Sequence, residues 1–225
     1  MSTYVISDLH LSFGAQKPMN VFGEKWDNFE NKIAEEWKSK VNDDDFVIIA
    51  GDVSWATYIE EALEDFRWID SLPGKKIILK GNHDFWWETV TKMNRFLSQN
   101  GINSIIFLYN NCIETDEYLI CGTRYWDQED GMDNEKIFNR EIERAKISLN
   151  CAKAINEAKD SPKPIIMCSH YPPDDRILNA LSDFKISKWI YAHLHSNYEE
   201  HMAKTGDIES FLTSCDYLDF KLMKL

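Results

Sequence analysis

The chain has 225 residues, 44% hydrophobic and 13% aromatic, which suits one ordinary domain (residues 1–225) with a buried core and excludes a disordered or collagen-like chain. Acidic residues outnumber basic ones by 38 to 25, and the formal net charge of −13 disfavours coating of long nucleic acids and adhesion to anionic membranes. The N-terminus lacks the basic and apolar segments of a secretory signal, and no stretch approaches the roughly 18 apolar residues of a spanning helix. Five cysteines, an odd number without a Cys-x-x-Cys pair, read as reduced thiols, so a cytoplasmic chain is expected.

Strand and helix signals alternate along the first half. Residues 3–7 form a short β-rich run ending at Asp8. Phe29, Ile33, Trp37 and Val41 recur at four-residue spacing, which predicts a helix over 26–41. Residues 46–50 are continuously apolar, the mark of a strand buried on both faces, and end at Gly51-Asp52. A second helical stripe spans 59–69, and a strand over 76–79 ends at Gly81-Asn82-His83-Asp84. A third helix is expected around 86–97.

Beyond it, residues 104–108, 111–114 and 117–122 read as consecutive short strands with hairpin connections. The acidic stretch 126–135 reads as a solvated connection, with a mobile lid as the alternative. A long helix is predicted over 134–158, a buried strand over 164–169 ending at His170, and a shorter one over 189–192 ending at His193-Leu194-His195. The tail, 209–225, alternates enough for two more strands.

Five apolar strands thus end in polar clusters: Asp8 with His10; Asp52; Asn82, His83 and Asp84; His170; and His193 with His195. In an open α/β sheet ligands bind beyond the carboxyl ends of the strands, so parallel neighbours would bring these clusters to one edge. Five of the six histidines fall in them, and only His201 lies outside. Imidazole mixed with carboxylate suits transition metals rather than magnesium or calcium. The ligands are too many for one ion; a carboxylate bridging two ions would use them all, an arrangement suited to phosphoester hydrolysis. Singly, each Asp or Asn would be read as a turn or cap residue and each histidine as structural; the joint pattern carries the metal reading.

These motifs, Asp8-Leu9-His10, Gly51-Asp52, Gly81-Asn82-His83-Asp84, His170 and His193-Leu194-His195, resemble in kind and order those of the calcineurin-like metallophosphoesterase superfamily. The resemblance implies two packed mixed β-sheets flanked by helices, a four-layer α/β/β/α sandwich. It implies that Asp8, His10 and His195 hold one metal, that Asn82, His170 and His193 hold the other, and that Asp52 bridges them. Manganese heads the candidates, with iron, zinc, nickel or cobalt as alternatives. The nucleophile would be a metal-bridging hydroxide and His83 the general acid. Asp84 would orient His83 or cap the following helix. Arg124, in a Gly-Thr-Arg-x-Trp segment similar to one in uncharacterised bacterial phosphohydrolases of this superfamily, would contact a substrate phosphate or form a structural ion pair. Trp55, Trp86 and Trp87 read as core aromatics, with cleft walls as the alternative.

Two departures from the family pattern stand out. Ala192 precedes the His-x-His pair where Gly is common, and the Asp-Arg-Gly sequence of Ser/Thr protein phosphatases is missing after Gly51-Asp52. The expected activity is therefore hydrolysis of a phosphomonoester or phosphodiester in a small phosphorylated substrate. A nuclease of the same superfamily and a non-catalytic metal-binding scaffold are the alternatives. Nothing in the sequence fixes the oligomeric state.

Overall fold

Alternation along the strands decides which layer each side chain joins. The computed structural model describes residues 1–125 and 135–225. Strands β1 (Thr3–Val5), β2 (Phe46–Ile49), β3 (Lys75–Ile78) and β4 (Ile105–Phe107) run parallel in one sheet. The chain then crosses to a second sheet, where β5 (Cys112–Glu114) pairs antiparallel with β6 (Leu119–Thr123). Strands β7 (Ile165–Ser169), β8 (Ile186–Tyr191) and β9 (Glu209–Leu212) follow in parallel. The last strand, β10 (Met223–Lys224), returns to the first sheet, antiparallel to β1. The orders are β10-β1-β2-β3-β4 and β5-β6-β7-β8-β9.

Ile48, Ile77, Ile120, Ile166 and Ile190 meet in one buried cluster fed by both sheets, so the sheets pack face to face. The intervening residues point the other way. Val47, Ile49 and Ile78 pack under helices α1 (Phe29–Lys40), α2 (Leu63–Asp70) and α3 (Val90–Gln99), through Ile33, Trp37, Phe66 and Met93. On the second sheet, Met167, Trp189 and Tyr191 pack under Ile142, Ala145 and Leu149 of α4 (Glu135–Glu157) and Ile177 of α5 (Asp175–Ala180). The expected four-layer α/β/β/α sandwich is the observed one. Strands covered on both faces explain their unbroken apolar runs. The short helix α6 (Tyr198–His201) ends at the exposed His201. Among the described residues, no helix is long and apolar enough to cross a membrane.

The structure corrects several boundaries. Residues 104–108 do not continue into a hairpin: β4 stays in the first sheet beside β3, and only β5 and β6 form the antiparallel pair. Asn110 and Asn111 make the break, Asn110 with φ of 56° and Asn111 bonded to both Tyr109 N–H (2.7 Å) and the Phe107 carbonyl (3.2 Å). Helix α3 begins at Val90 rather than near Trp86, because the Thr89 side chain accepts the Lys92 N–H and caps it there. Strand β8 starts at Ile186, earlier than expected. Of the stretch 126–135, all but Glu135 lies outside the described residues.

Lys76 on β3 is fully buried, its ammonium bonded to the Leu72 carbonyl and, at 3.0 Å, to the Ser104 hydroxyl. Burial pushes it down to about 8 from the ordinary 10.5, against the pull of Asp70. Between these values the unfolded chain binds more protons than the native one, so stability rises with pH there. The melting temperature of the natural chain relative to Lys76→Met is predicted to climb from pH 8 to pH 10.5; a constant difference would refute the assignment.

Candidate metal centre

The strand-end residues turn back into one cleft through unusual backbone conformations. Asp8, His10, Asp52 and His193 all have positive φ, from 45° to 74°. Asp and His tolerate this region better than most residues, but it still costs about 1 kcal/mol or more each and is typical of functional sites. Gly51 has φ of 101°, and a Cβ on Gly81 would lie 2.0 Å from the Asp52 carboxylate. Only glycine at 81 lets the Asn82-His83 loop lie against Asp52.

Two donor groups result, Asp8 with His10 and His195, and Asp52 with His170 and His193; within each, the atoms lie within 4.8 Å of one another. Asp52 Oδ2 stands between them, 3.8 Å from His10 Nε2 and 3.5 Å from His170 Nε2. Asn82 joins the second group, its Oδ1 2.6 Å from His170 Nε2 and 3.0 Å from His193 Nδ1. In the first, His10 Nε2 and His195 Nε2 face each other at 3.1 Å.

Outer contacts fix the tautomers. His170 Nδ1–H donates to the Ala50 carbonyl at 2.9 Å and His195 Nδ1–H to Asp216 at 2.9 Å, which leaves both Nε2 lone pairs facing inward. Among the described residues, buried Asp8 Oδ1 has no hydrogen-bond partner. A converging set of nitrogen and oxygen lone pairs with an orphaned carboxylate oxygen fits divalent transition-metal ions.

The electrostatics agree. Burial would raise Asp52, but the imidazoles of His170 and His10 hold it well below the ordinary carboxylate range. Burial opposes a charge on His170, yet the facing Asp52 outweighs it and lifts His170 to about 9, so a metal at Nε2 would have to displace a proton. Burial holds His10 neutral, down to about 3.

His83 reaches the same cleft, a cavity of about 370 Å³ that Asp52, Trp55, Trp26, His10, His193 and His195 also line. Its backbone N–H donates to Asp52 Oδ1 at 2.8 Å, its ring lies 4.3 Å from that of Trp55, and burial lowers its pKa. Trp55 also stacks on His10 at 4.8 Å and is a cleft wall; Trp86 is core, and Trp87 lines a second cleft.

Among the described residues, the Asp84 carboxylate makes no hydrogen bond to the His83 ring and caps no helix. Its buried carboxylate accepts the backbone N–H groups of Asp52, Val53, Ser54 and Gly81 and the Trp86 indole N–H, at 2.7–3.2 Å. Arg124 lies outside the metal cleft and lines the second one. Ala192 packs its methyl between the sheets, with both following histidines in place. Sequence reasoning missed Asp216, whose only signal is an acidic residue in the loop after β9.

The calcineurin-like phosphoesterase family model matches residues 1–197, and the chain belongs to that family. Gene 66 protein of Mycobacterium phage L5 is 30% identical over 83 residues, 37% of this chain and only 40% of the phage protein. The chain's fold is similar to that of the Aquifex aeolicus protein AQ665, of unknown function, with a TM-score of 0.55 and 19% identity over 99% of this chain and 95% of that one. It is also similar to the Thermus thermophilus protein TT1561, with a TM-score of 0.56 and 14% identity over 99% of this chain and 97% of that one.

The Asp84 contacts carry a prediction. Hydrogen bonds to a charged acceptor contribute about 1.5–3 kcal/mol each, though not additively. Asp84→Asn is expected to lower unfolding free energy by about 3 kcal/mol and to weaken metal binding, read by urea denaturation and metal titration; unchanged stability would contradict the role.

Proposed function

We propose that the chain hydrolyses phosphoester bonds of small phosphorylated molecules with two divalent metal ions, manganese first among the candidates. The observation that carries this is the placement of Asp52 between the two donor groups. Asp8, His10 and His195 would hold one ion, Asn82, His170 and His193 the other, and Asp52 both. When bound, such ions supply Lewis acidity and lower the pKa of water.

The remaining steps belong to side chains. Asp52, held anionic, turns Oδ2 toward both donor groups while its Oδ1 accepts the His83 N–H, and would be shared by the two ions. The carboxylate of Asp216 and the carbonyl of Ala50 keep His195 and His170 in the tautomers that bind metal. His83, half-buried on the cleft wall, donates its proton to the leaving oxygen and regains one from solvent. Trp55 fixes the His10 and His83 rings from one side. Asp84 positions the Asp52 and Gly81 backbones and takes no part in proton transfer. Five free cysteines fit a reducing, cytoplasmic setting. The net charge of −13 supports small substrates over long nucleic acids.

A panel of monoesters and diesters assayed with Mn, Ni, Co, Zn and Mg identifies the bond type. Asp52→Asn is expected to reduce turnover by about a thousandfold or more with the circular dichroism spectrum retained; retained turnover would overturn the reading. His83→Gln should keep the metals and lose about 10²–10⁴-fold on alkyl esters, but much less on p-nitrophenyl phosphate, whose leaving group needs no proton. Equal losses on both would remove His83 as the acid.

A further inference from the structure

The second cleft, about 380 Å³, opens on the same strand edge beside the metal centre. Lys80 directly precedes Gly81 and Asn82, and the Arg124 carbonyl accepts the His170 N–H at 3.1 Å, so the metal-binding loops form part of its wall. Lys80, Arg124, Arg140 and Arg144 line it, with Glu88 and Glu141 as the acidic side chains. That sign is opposite to the chain's own charge of −13.

The two carboxylates do not cancel it. Glu88 pairs with Lys92 at 2.8 Å. Glu141, fully buried, accepts the Thr123 hydroxyl at 2.7 Å through one oxygen and Arg144 at 2.5 Å through the other. Arg144 also donates to the Tyr109 hydroxyl at 3.0 Å. The guanidinium is thereby held in place, and among the described residues these bonds use two of its five N–H groups. Lys80, half-buried, makes no hydrogen bond or ion pair among the described residues. Burying an ammonium without a partner costs free energy that an incoming anion would recover.

We infer that this cleft is a second anion subsite, which binds a phosphoryl group of the same molecule whose ester bond lies at the metal centre. The substrate class is then a small molecule with two separated anionic groups, a bisphosphate rather than a simple monophosphate. This rests on the hydrolase reading above. Lys80 and Asn82 are two residues apart, at most about 7 Å between Cα atoms, which puts the two sites within the reach of one bisphosphate.

Calorimetric titration of inorganic phosphate into the manganese-loaded chain tests this. The natural chain should bind two phosphates, and Lys80→Gln, which removes no hydrogen bond, should weaken one of them at least tenfold; Lys80→Arg should restore it. A single phosphate per natural chain, or two unweakened phosphates in Lys80→Gln, would overturn the subsite. Hydrolysis of the monoester and diester panel is scored separately: no turnover of any member with any of the metals overturns the hydrolase reading, while a hydrolase that binds one phosphate overturns the subsite alone. With a bisphosphate substrate, Lys80→Gln should raise KM about tenfold at constant kcat; an unchanged KM would contradict the assignment.

Discussion

At the carboxyl edge of the sandwich the two sheets are bonded to each other. Past the end of β1, Ser7 N–H donates to the Thr213 carbonyl at 2.7 Å, and Cys215 N–H returns a bond to the Ser7 carbonyl at 2.8 Å. The Ser7 and Thr213 hydroxyls meet at 2.9 Å, and the Ser7 hydroxyl oxygen also accepts the Ala50 N–H. The apolar layer between the sheets, where each buried aliphatic side chain contributes about 1.5–3 kcal/mol, is non-directional and sets only their separation. These bonds set the register. Each donor group draws on both sheets: Asp8 and His10 follow β1 while His195 follows β8, and Asp52 follows β2 while His170 and His193 follow β7 and β8. A slip of one sheet would take both groups apart.

Within that frame the site is held under strain. Four of its residues sit at positive φ, and Asp84 answers this by collecting N–H groups from both neighbouring loops. A buried carboxylate with five donors fixes backbone rather than chemistry, which makes Asp84 a positioning residue despite its place in the motif. The acidity of the chain gains a similar resolution. Its exposed acidic residues set the exterior, while the edge that carries the two donor groups also bears a basic cleft.

Much of this was legible in the sequence, because a strand buried on both faces leaves an unbroken apolar run and its end is marked by the first polar residue. Asp8, Asp52, Asn82, His170 and His193 could be placed that way. The crossing between β4 and β5 could not, since a two-Asn turn reads equally as a hairpin. Nor could the partners of Asp84 or the tie from Asp216 to His195, which depend on loops meeting across the fold. Arg124 is legible as a basic residue at a strand end, but only the packing of the second sheet against the first shows that it lines a cleft separate from that of the donor groups.

The central claim is that Asp52 joins two metal ions at this edge. Crystals grown with manganese and measured across its absorption edge test it most directly. Two anomalous peaks should appear, one among Asp8, His10 and His195 and one among Asn82, His170 and His193, with an Asp52 oxygen coordinating each. A single peak, or two peaks of which Asp52 contacts only one, would contradict the account.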